Sequence, residues 1–188
     1  MTNPILLDFP HSFDSERLTI RCPMPGDGEE VCQAIIDSQP ELIPWMPWAV
    51  GEQTVEGTEA NVRDAYAKFL QREDLRLSLY LKGTTTLVGS SGLHRIDWNI
   101  PKFEIGYWAR TKFAGNGYIT EATAAITAFA FEQLGAKRIE IRCDENNVRS
   151  AVIPPKVGYT LEGTLINEAR HHISGELRNT MIFAQTVP

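Results

Sequence analysis

Two glycines one residue apart, Gly115-Asn116-Gly117, separate an apolar run, Phe103 to Arg110, from the stretch Tyr118-Ile-Thr-Glu-Ala122. Glycines so placed let the backbone turn its N–H groups toward one point. The first turn of a following helix adds unpaired donors and a partial positive charge. No Ser, Thr, Asp or Asn immediately precedes Tyr118 as a cap, which leaves those donors for an anion. The chemistry on offer is a pyrophosphate cradle, with Lys112 screening charge from outside the loop. Two common phosphate loops do not fit. A P-loop ends in Gly-Lys-Ser/Thr, whereas Tyr118 follows Gly117; a dinucleotide fingerprint needs a glycine where Thr120 stands.

The elements that must position this loop are a strand and a helix. Phe103, Ile105, Tyr107 and Trp108 are β-branched or aromatic and predict a strand over 103–110. Ile119, Ala122, Ile126, Phe129 and Ala130 recur at three or four residues and predict a helix over 117–134, with Gly135 at its stop. Upstream, Ser15–Cys22 reads as a strand ended by Pro23 and Pro25, and 28–38 as a helix turning Val31, Ile35 and Ile36 inward, with Pro40 just past its end. A helix over 54–73 has Thr54 as cap and Val62, Ala65, Tyr66, Phe69 and Leu70 as its buried stripe. Residues 76–82 and 86–93 read as paired strands, 96–101 as a loop, 136–143 as a strand and 177–186 as the last strand. Antiparallel hairpins leading into 103–110 follow from this order.

The segment Leu42-Ile-Pro-Trp-Met-Pro-Trp48 is too rich in proline to be regular and too apolar for an ordinary solvated loop. Trp45 and Trp48 therefore cover something, either core or one wall of a substrate pocket, and Trp98 is placed to approach that pocket from the other side. Stacked indoles can hold an apolar stem or a cation.

A second motif lies downstream: Asn147-x-x-Ser150, then Lys156-x-Gly158-Tyr159 and Leu161-Glu-Gly163. Together with Lys112-x-x-Gly115-x-Gly117 after Glu104-Ile-Gly-Tyr-Trp108, it resembles the GNAT N-acetyltransferases over roughly the second half of the chain. The wording Ile105-Gly-Tyr-Trp108 and Gly117-Tyr-Ile-Thr-Glu-Ala122 is most similar to the RimJ/RimL-like branch, which acetylates ribosomal-protein N-termini. The resemblance implies a mixed α/β (α+β) fold with a mostly antiparallel, splayed sheet flanked by helices. It implies acetyl-CoA as cosubstrate, held by Tyr107, Trp108, Ala109, Lys112, Gly115, Asn116, Gly117, Tyr118, Asn147 and Ser150. Backbone N–H groups near Tyr107 and Trp108 are expected to meet the thioester carbonyl, and an amine is the acceptor.

Direct transfer needs a neutral amine, donors for the oxyanion and a proton for the thiolate. By the resemblance Ser150 is the acid, with a helix cap as its ordinary alternative. The tyrosine acid of many family members is absent; Pro154 stands there, and Pro154-Pro155 should shorten or kink the short helix. A family glutamate aligns with Ala169, with Glu168 its neighbour; on a strand that one-residue shift turns the side chain away. Glu104 is the other candidate base, water-mediated deprotonation a third route, and Cys143 a weaker nucleophile with no adjoining His. The readings to be separated are an N-acetyltransferase of protein termini, one of small amines or antibiotics, and a CoA-binding regulatory domain without catalysis.

Composition bounds these readings. At 188 residues, 43% hydrophobic and 22% charged, the chain is expected to form one domain over 1–188. A net charge of −6 argues against a nucleic-acid surface and is compatible with a cationic acceptor. Cys22, Cys32 and Cys143 form no C-x-x-C pair and read as small buried residues. No metal cluster is visible, because His171 and His172, adjacent on a strand, would face opposite ways. Residues 1–10 lack a signal-peptide pattern and no apolar run is long enough to span a membrane, so a cytoplasmic location is expected; a homodimer is the assembly considered.

Overall fold

The computed structural model describes residues 3–187; Met1 and Thr2, the first of the N-terminal stretch just considered, lie outside them. The first strands are β1 (Ser12–Asp14) and β2 (Leu18–Arg21). Helices α1 (Gly28–Ile36), α2 (Gln39–Leu42) and α3 (Val55–Gln71) follow. Then come β3 (Leu75–Leu81), β4 (Leu87–Asp97), β5 (Lys102–Ala109), α4 (Tyr118–Gln133) and β6 (Arg138–Asp144). The chain ends with α5 (Val148–Ala151), α6 (Ile153–Lys156), β7 (Thr160–Arg170) and β8 (Leu177–Thr186).

The strands form one eight-stranded sheet in the order β1-β2-β3-β4-β5-β6-β8-β7. Every neighbouring pair is antiparallel except β5 and β6, which run parallel. That parallel pairing covers only Lys102 to Glu104 against Arg138 to Glu140. Beyond Glu104 the two strands part, so the far half of β5 has a free backbone edge. This is the expected splay, and it opens where the chemistry must sit.

The two faces of the sheet carry different helices. Phe103, Ile105, Leu93, Leu77, Leu79 and Ile139 are buried with Ile126, Phe129 and Ala130 of α4 in the main core. Burial of each of the leucine, isoleucine and phenylalanine side chains contributes about 1.5–3 kcal/mol. Smaller apolar groups around Ala34, Ile35 and Leu42 lie with Trp108 on the side of α1. Alternation along β5 therefore sends Tyr107 toward α4 and α5, and Trp108 toward α1 and α3.

Several expectations need correction. The helix expected over 28–38 ends at Ile36, and Pro40, beyond that end as expected, also opens the separate turn α2. Ile36 and Leu70 point outward, at 45% and 39% exposure. The strand expected to end at Leu93 runs on to Asp97, with Arg95 at φ 46 marking the irregular stretch before Asp97. As expected, by contrast, Pro154 and Pro155 break the short helix at Val152, leaving single turns on either side. His171 and His172 are not on a strand. Their rings stack 5.1 Å apart, and the two Nε2 atoms bond the carbonyls of Pro44 and Ile43 at 2.9 and 2.8 Å. They tie the β7–β8 turn to the proline-rich segment. Among the described residues no helix is long and apolar enough to cross a membrane, and no metal-capable cluster was found.

Candidate active site

Two cavities meet at the splay. The larger, about 740 Å³, runs along the free edge of β5 from Tyr107 to Ala109, past the glycine loop and the start of α4, to α5 and α6. The smaller, about 530 Å³, lies on the opposite face between the sheet and α3. They share three residues: Met46, Tyr107 and Trp108. A group bound in one cavity can thus reach a group bound in the other past the backbone of β5.

The loop geometry follows from its glycines. Gly115 and Gly117 have φ of 80° and 81°, the left-handed region that disfavours a side chain. Gly117 is the N-cap of α4 and offers no side chain to its first turn. The Asn116 amide does not face the cavity but bonds the carbonyls of Phe113 and Ala114, at 3.1 and 3.4 Å. Arg17 braces the loop from outside, donating to the Asn116 carbonyl and to Glu121 at 2.6 Å. Hydrogen bonds from the Ser15 hydroxyl and then from the Arg17 N–H and guanidinium hold the Glu121 carboxyl below its ordinary range against the opposing effect of desolvation. Lys112 lies over the Phe113 ring rather than in the cavity. The cations lining the cavity are instead Arg149 and Lys156.

The β5 edge has the right polarity for an acyl carbonyl. Arg110 N–H bonds the Val88 carbonyl of β4. Alternation then directs the N–H groups of Tyr107 and Ala109 to the opposite, splayed edge, and that of Trp108 back to β4. Of the N–H groups expected near Tyr107 and Trp108, that of Tyr107 thus faces the splay and that of Trp108 does not, while Trp108 lines both cavities.

Across the splay, Asn147 caps α5 by accepting from Ser150 N–H at 3.2 Å. Ser150 Oγ donates to Tyr107 Oη at 3.3 Å, and that hydroxyl donates to the Ser150 carbonyl at 3.0 Å. Burial raises Tyr107's pKa well above the ordinary tyrosine range. The pair bridges β5 to α5 and puts a hydroxyl at the open edge. Tyr107 gave no sequence signal for this role, because its partner lies 43 residues away. Cys143 is buried, and desolvation raises its thiol pKa.

The structure does not bring the two glutamates to the cavities. Burial raises the pKa of Glu104, and one of its oxygens takes Arg95 at 3.2 Å. Glu168 follows Asn167 at φ 54, in a stretch where β7 slips register against β8. Its oxygens accept from Arg142 and Thr180, both at 2.8 Å. Neither carboxylate lines either cavity. The tryptophans also separate. Trp48 lines the smaller cavity, 6.0 Å from the Trp108 ring, whereas Trp45 lines the larger. Trp98 lines neither; its indole N–H bonds the Arg72 carbonyl at 2.9 Å and its ring packs edge-on to Phe103.

A buried cation fixes α1 and its C-terminal end against the end of β5. Arg110 reaches Asp37 at 2.8 and 2.5 Å and Glu30 at 2.8 Å. Beside it, Thr111 N–H donates to Ser38 Oγ, and the Thr111 hydroxyl to Glu41, both at 3.0 Å. This network was not foreseen from the sequence, since its partners lie 70 to 80 residues apart.

Comparison with known proteins bears on this geometry. Residues 17–160 match the family model described as an acetyltransferase (GNAT) domain. The “Putative ribosomal N-acetyltransferase YdaF” of Bacillus subtilis is 31% identical over 150 residues, 79% of this chain and 81% of that one. The ribosomal-protein-serine acetyltransferase of Escherichia coli is 25% identical over 151 residues, 80% and 83% of the two chains. Among solved structures, a probable acetyltransferase superposes with a TM-score of 0.84 at 26% identity, covering 93% of this chain and 96% of the other.

Proposed function

The chain belongs to the GNAT acetyltransferase family, is an acetyl-CoA-dependent N-acetyltransferase of the RimJ/RimL-like branch, and on that premise we propose that it acetylates a protein N-terminal amine, a ribosomal protein's first of all. The observation that carries the two-substrate reading is the meeting of the cavities at Met46, Tyr107 and Trp108. The donor occupies the larger cavity. Gly115 to Tyr118 cradle its pyrophosphate with help from Arg149 and Lys156, and Asn147 borders its pantetheine arm. The acceptor occupies the smaller cavity, whose outer wall is the exposed segment around Trp48 and Glu52. A chain terminus can enter there while the rest of the polypeptide stays outside. The names of the relatives support a ribosomal acceptor. Mass spectrometry of a panel of ribosomal-protein N-terminal peptides and small amines, incubated with acetyl-CoA, tests this. Acetylation confined to the small amines would reject the protein acceptor.

The N–H groups of Tyr107 and Ala109 orient the acyl carbonyl, and Ser150 returns a proton to the departing thiolate. A thiol with an ordinary pKa near ~8.5 leaves readily, so the acid contributes at the low end of proton-transfer effects. Ser150→Ala is expected to lower kcat roughly 100-fold with little change in CoA affinity. Equal loss in both, measured by steady-state kinetics and calorimetry, would reduce Ser150 to a helix-start residue.

Trp48 is 46% exposed, which argues against a core role. Trp48→Ala is expected to raise KM for the amine roughly 5- to 30-fold, the equivalent of about 1–2 kcal/mol. KM for acetyl-CoA should stay nearly constant, and the melting point within about 2 °C. Joint loss of both constants with a large drop in melting temperature would reject the pocket role.

A further inference from the structure

With Glu104 and Glu168 both held away from the cavities, the group that removes the ammonium proton has to come from elsewhere. One imidazole lines the acceptor cavity: His94, on β4. Its Nδ1 lies 2.7 Å from Asp74 Oδ2, in the segment between α3 and β3. A carboxylate only accepts hydrogen bonds, so in the neutral ring that contact puts the proton on Nδ1 and leaves the Nε2 lone pair available. Nε2 makes no hydrogen bond among the described residues.

The seat of the ring is built by two glycines. Gly92 and Gly106 face each other across β4 and β5. A Cβ on Gly92 would stand 2.9 Å from His94 Cε1; one on Gly106 would stand 3.4 Å from Cδ2 and 3.6 Å from Nε2. The imidazole therefore lies over the glycine pair, with its Nε2 side above Gly106. Gly106 directly precedes Tyr107, whose N–H faces the donor edge. The free nitrogen thus lies over the residue that precedes Tyr107, in the cavity that Tyr107 and Trp108 also line.

We propose that His94, oriented by Asp74, is the general base of the reaction. This rests on the acetyl-transfer reading above. His94 Nε2 takes one proton from the acceptor ammonium. The amine lone pair forms the C–N bond to the acyl carbon, and the C–S bond breaks with its electron pair going to sulfur. The second amine proton reaches the thiolate by way of Ser150, and His94 passes its proton to solvent. Net, one proton is released per acetyl transferred. His94 is a catalytic residue in this scheme, and Asp74 a positioning residue.

Charged groups reach this ring from several elements. Asp74 bonds it directly, Arg76 enters the cavity from β3, and Glu52 lies at the mouth. Glu104 is paired with His94 from β5 but does not line the cavity. Arg76 is held by the Asn61 side chain of α3 at 2.5 Å and Glu104 by Arg95, so neither occupies Nε2. Residues Gly57, Thr58 and Asn61 of α3 add no charge to the cavity lining.

The test uses the full chain with acetyl-CoA and a peptide acceptor it acetylates. His94→Gln is expected to lower kcat/KM for the amine at neutral pH about 10²–10³-fold, with CoA affinity by calorimetry unchanged. The deficit should shrink as pH rises toward the amine's own pKa, and with acceptors whose amines titrate lower. Asp74→Asn should cost less and displace the acidic limb of the wild-type kcat/KM profile, a shift that a purely structural contact would not produce. A variant within threefold of wild type and with the same pH profile would overturn the base. So would a loss that is independent of pH and confined to KM. Failure of the parent reading looks different: wild-type protein would then bind acetyl-CoA but release no thiol with any acceptor, which also removes the base. A melt of each variant separates lost chemistry from lost fold.

Discussion

Gly117→Glu is expected to weaken CoA binding by at least about 100-fold. Two effects combine. Gly117 sits at φ 81°, ψ 0° as the N-cap of α4, where an L side chain costs roughly 1–2 kcal/mol. The carboxylate then stands at the mouth of the donor pocket, among N–H groups that otherwise face phosphate, and repels it. Gly117→Ala is the control, because it keeps the backbone strain and adds no charge. Space is not the obstacle: the nearest atom to a built Cβ is Arg17 Nη2, at 3.5 Å. Arg17 is already held by Glu121 and the Asn116 carbonyl, so the new carboxylate competes for an engaged partner. Calorimetry should therefore rank affinity as wild type, then alanine, then glutamate, with both variants folded. Wild-type affinity in the glutamate variant would remove the loop from the pyrophosphate site.

The loop and helix were legible because their signals are local. Two glycines and a three-to-four-residue apolar period lie within one stretch, and α4 begins and ends within a residue or so of its expected limits. The broken helix at Val152 was legible for the same reason, since proline acts on its own backbone. What stayed hidden depends on contacts distant in sequence or on side chains redirected by the backbone. β7 carries a register slip and the positive φ of Asn167, so counting by two along it cannot say where Glu168 points. His171 and His172 share a side because they lie in a turn, where strand alternation does not apply. Asp74 and His94 are 20 residues apart, and only the pairing of β3 with β4 brings them together. The antiparallel run leading into β5, in contrast, followed from the succession of apolar runs and turns, whereas the place of β8 between β6 and β7 did not.

Arg110→Met is expected to lower the melting temperature by roughly 4–12 °C and to raise KM for both substrates. The guanidinium is 5% exposed, while Asp37 and Glu30 are 31% and 34% exposed. Breaking a fully buried ion pair by removing one partner costs about 3–5 kcal/mol. Here the two orphaned carboxylates can reach water, so about 2–3 kcal/mol is the expected loss, at roughly 2–4 °C per kcal/mol for a domain of this size. The functional loss follows from what the cation holds: Arg110 fastens the C-terminal end of α1, from which the chain runs on into the proline-rich segment, to the end of β5. With it gone, Met46 and Trp48 no longer face Trp108 in a fixed register, and the walls of both cavities loosen together. Acid separates this account from a simple packing defect. The Asp37 carboxyl is held below its ordinary range, first by the Gln33 amide and then by Arg110. Stability from a depressed carboxyl pKa is present above its unfolded value, near ~3.9, and lost as pH falls through the folded one. The gap between wild type and variant should accordingly narrow below about pH 4, as Asp37 takes up its proton. Neutralising the acids as well, with Asp37→Asn and Glu30→Gln added to Arg110→Met, should recover part of the lost melting temperature. A gap that persists unchanged to pH 3, or no recovery in the triple variant, would mean that Arg110 acts through its packed volume and not through its charge.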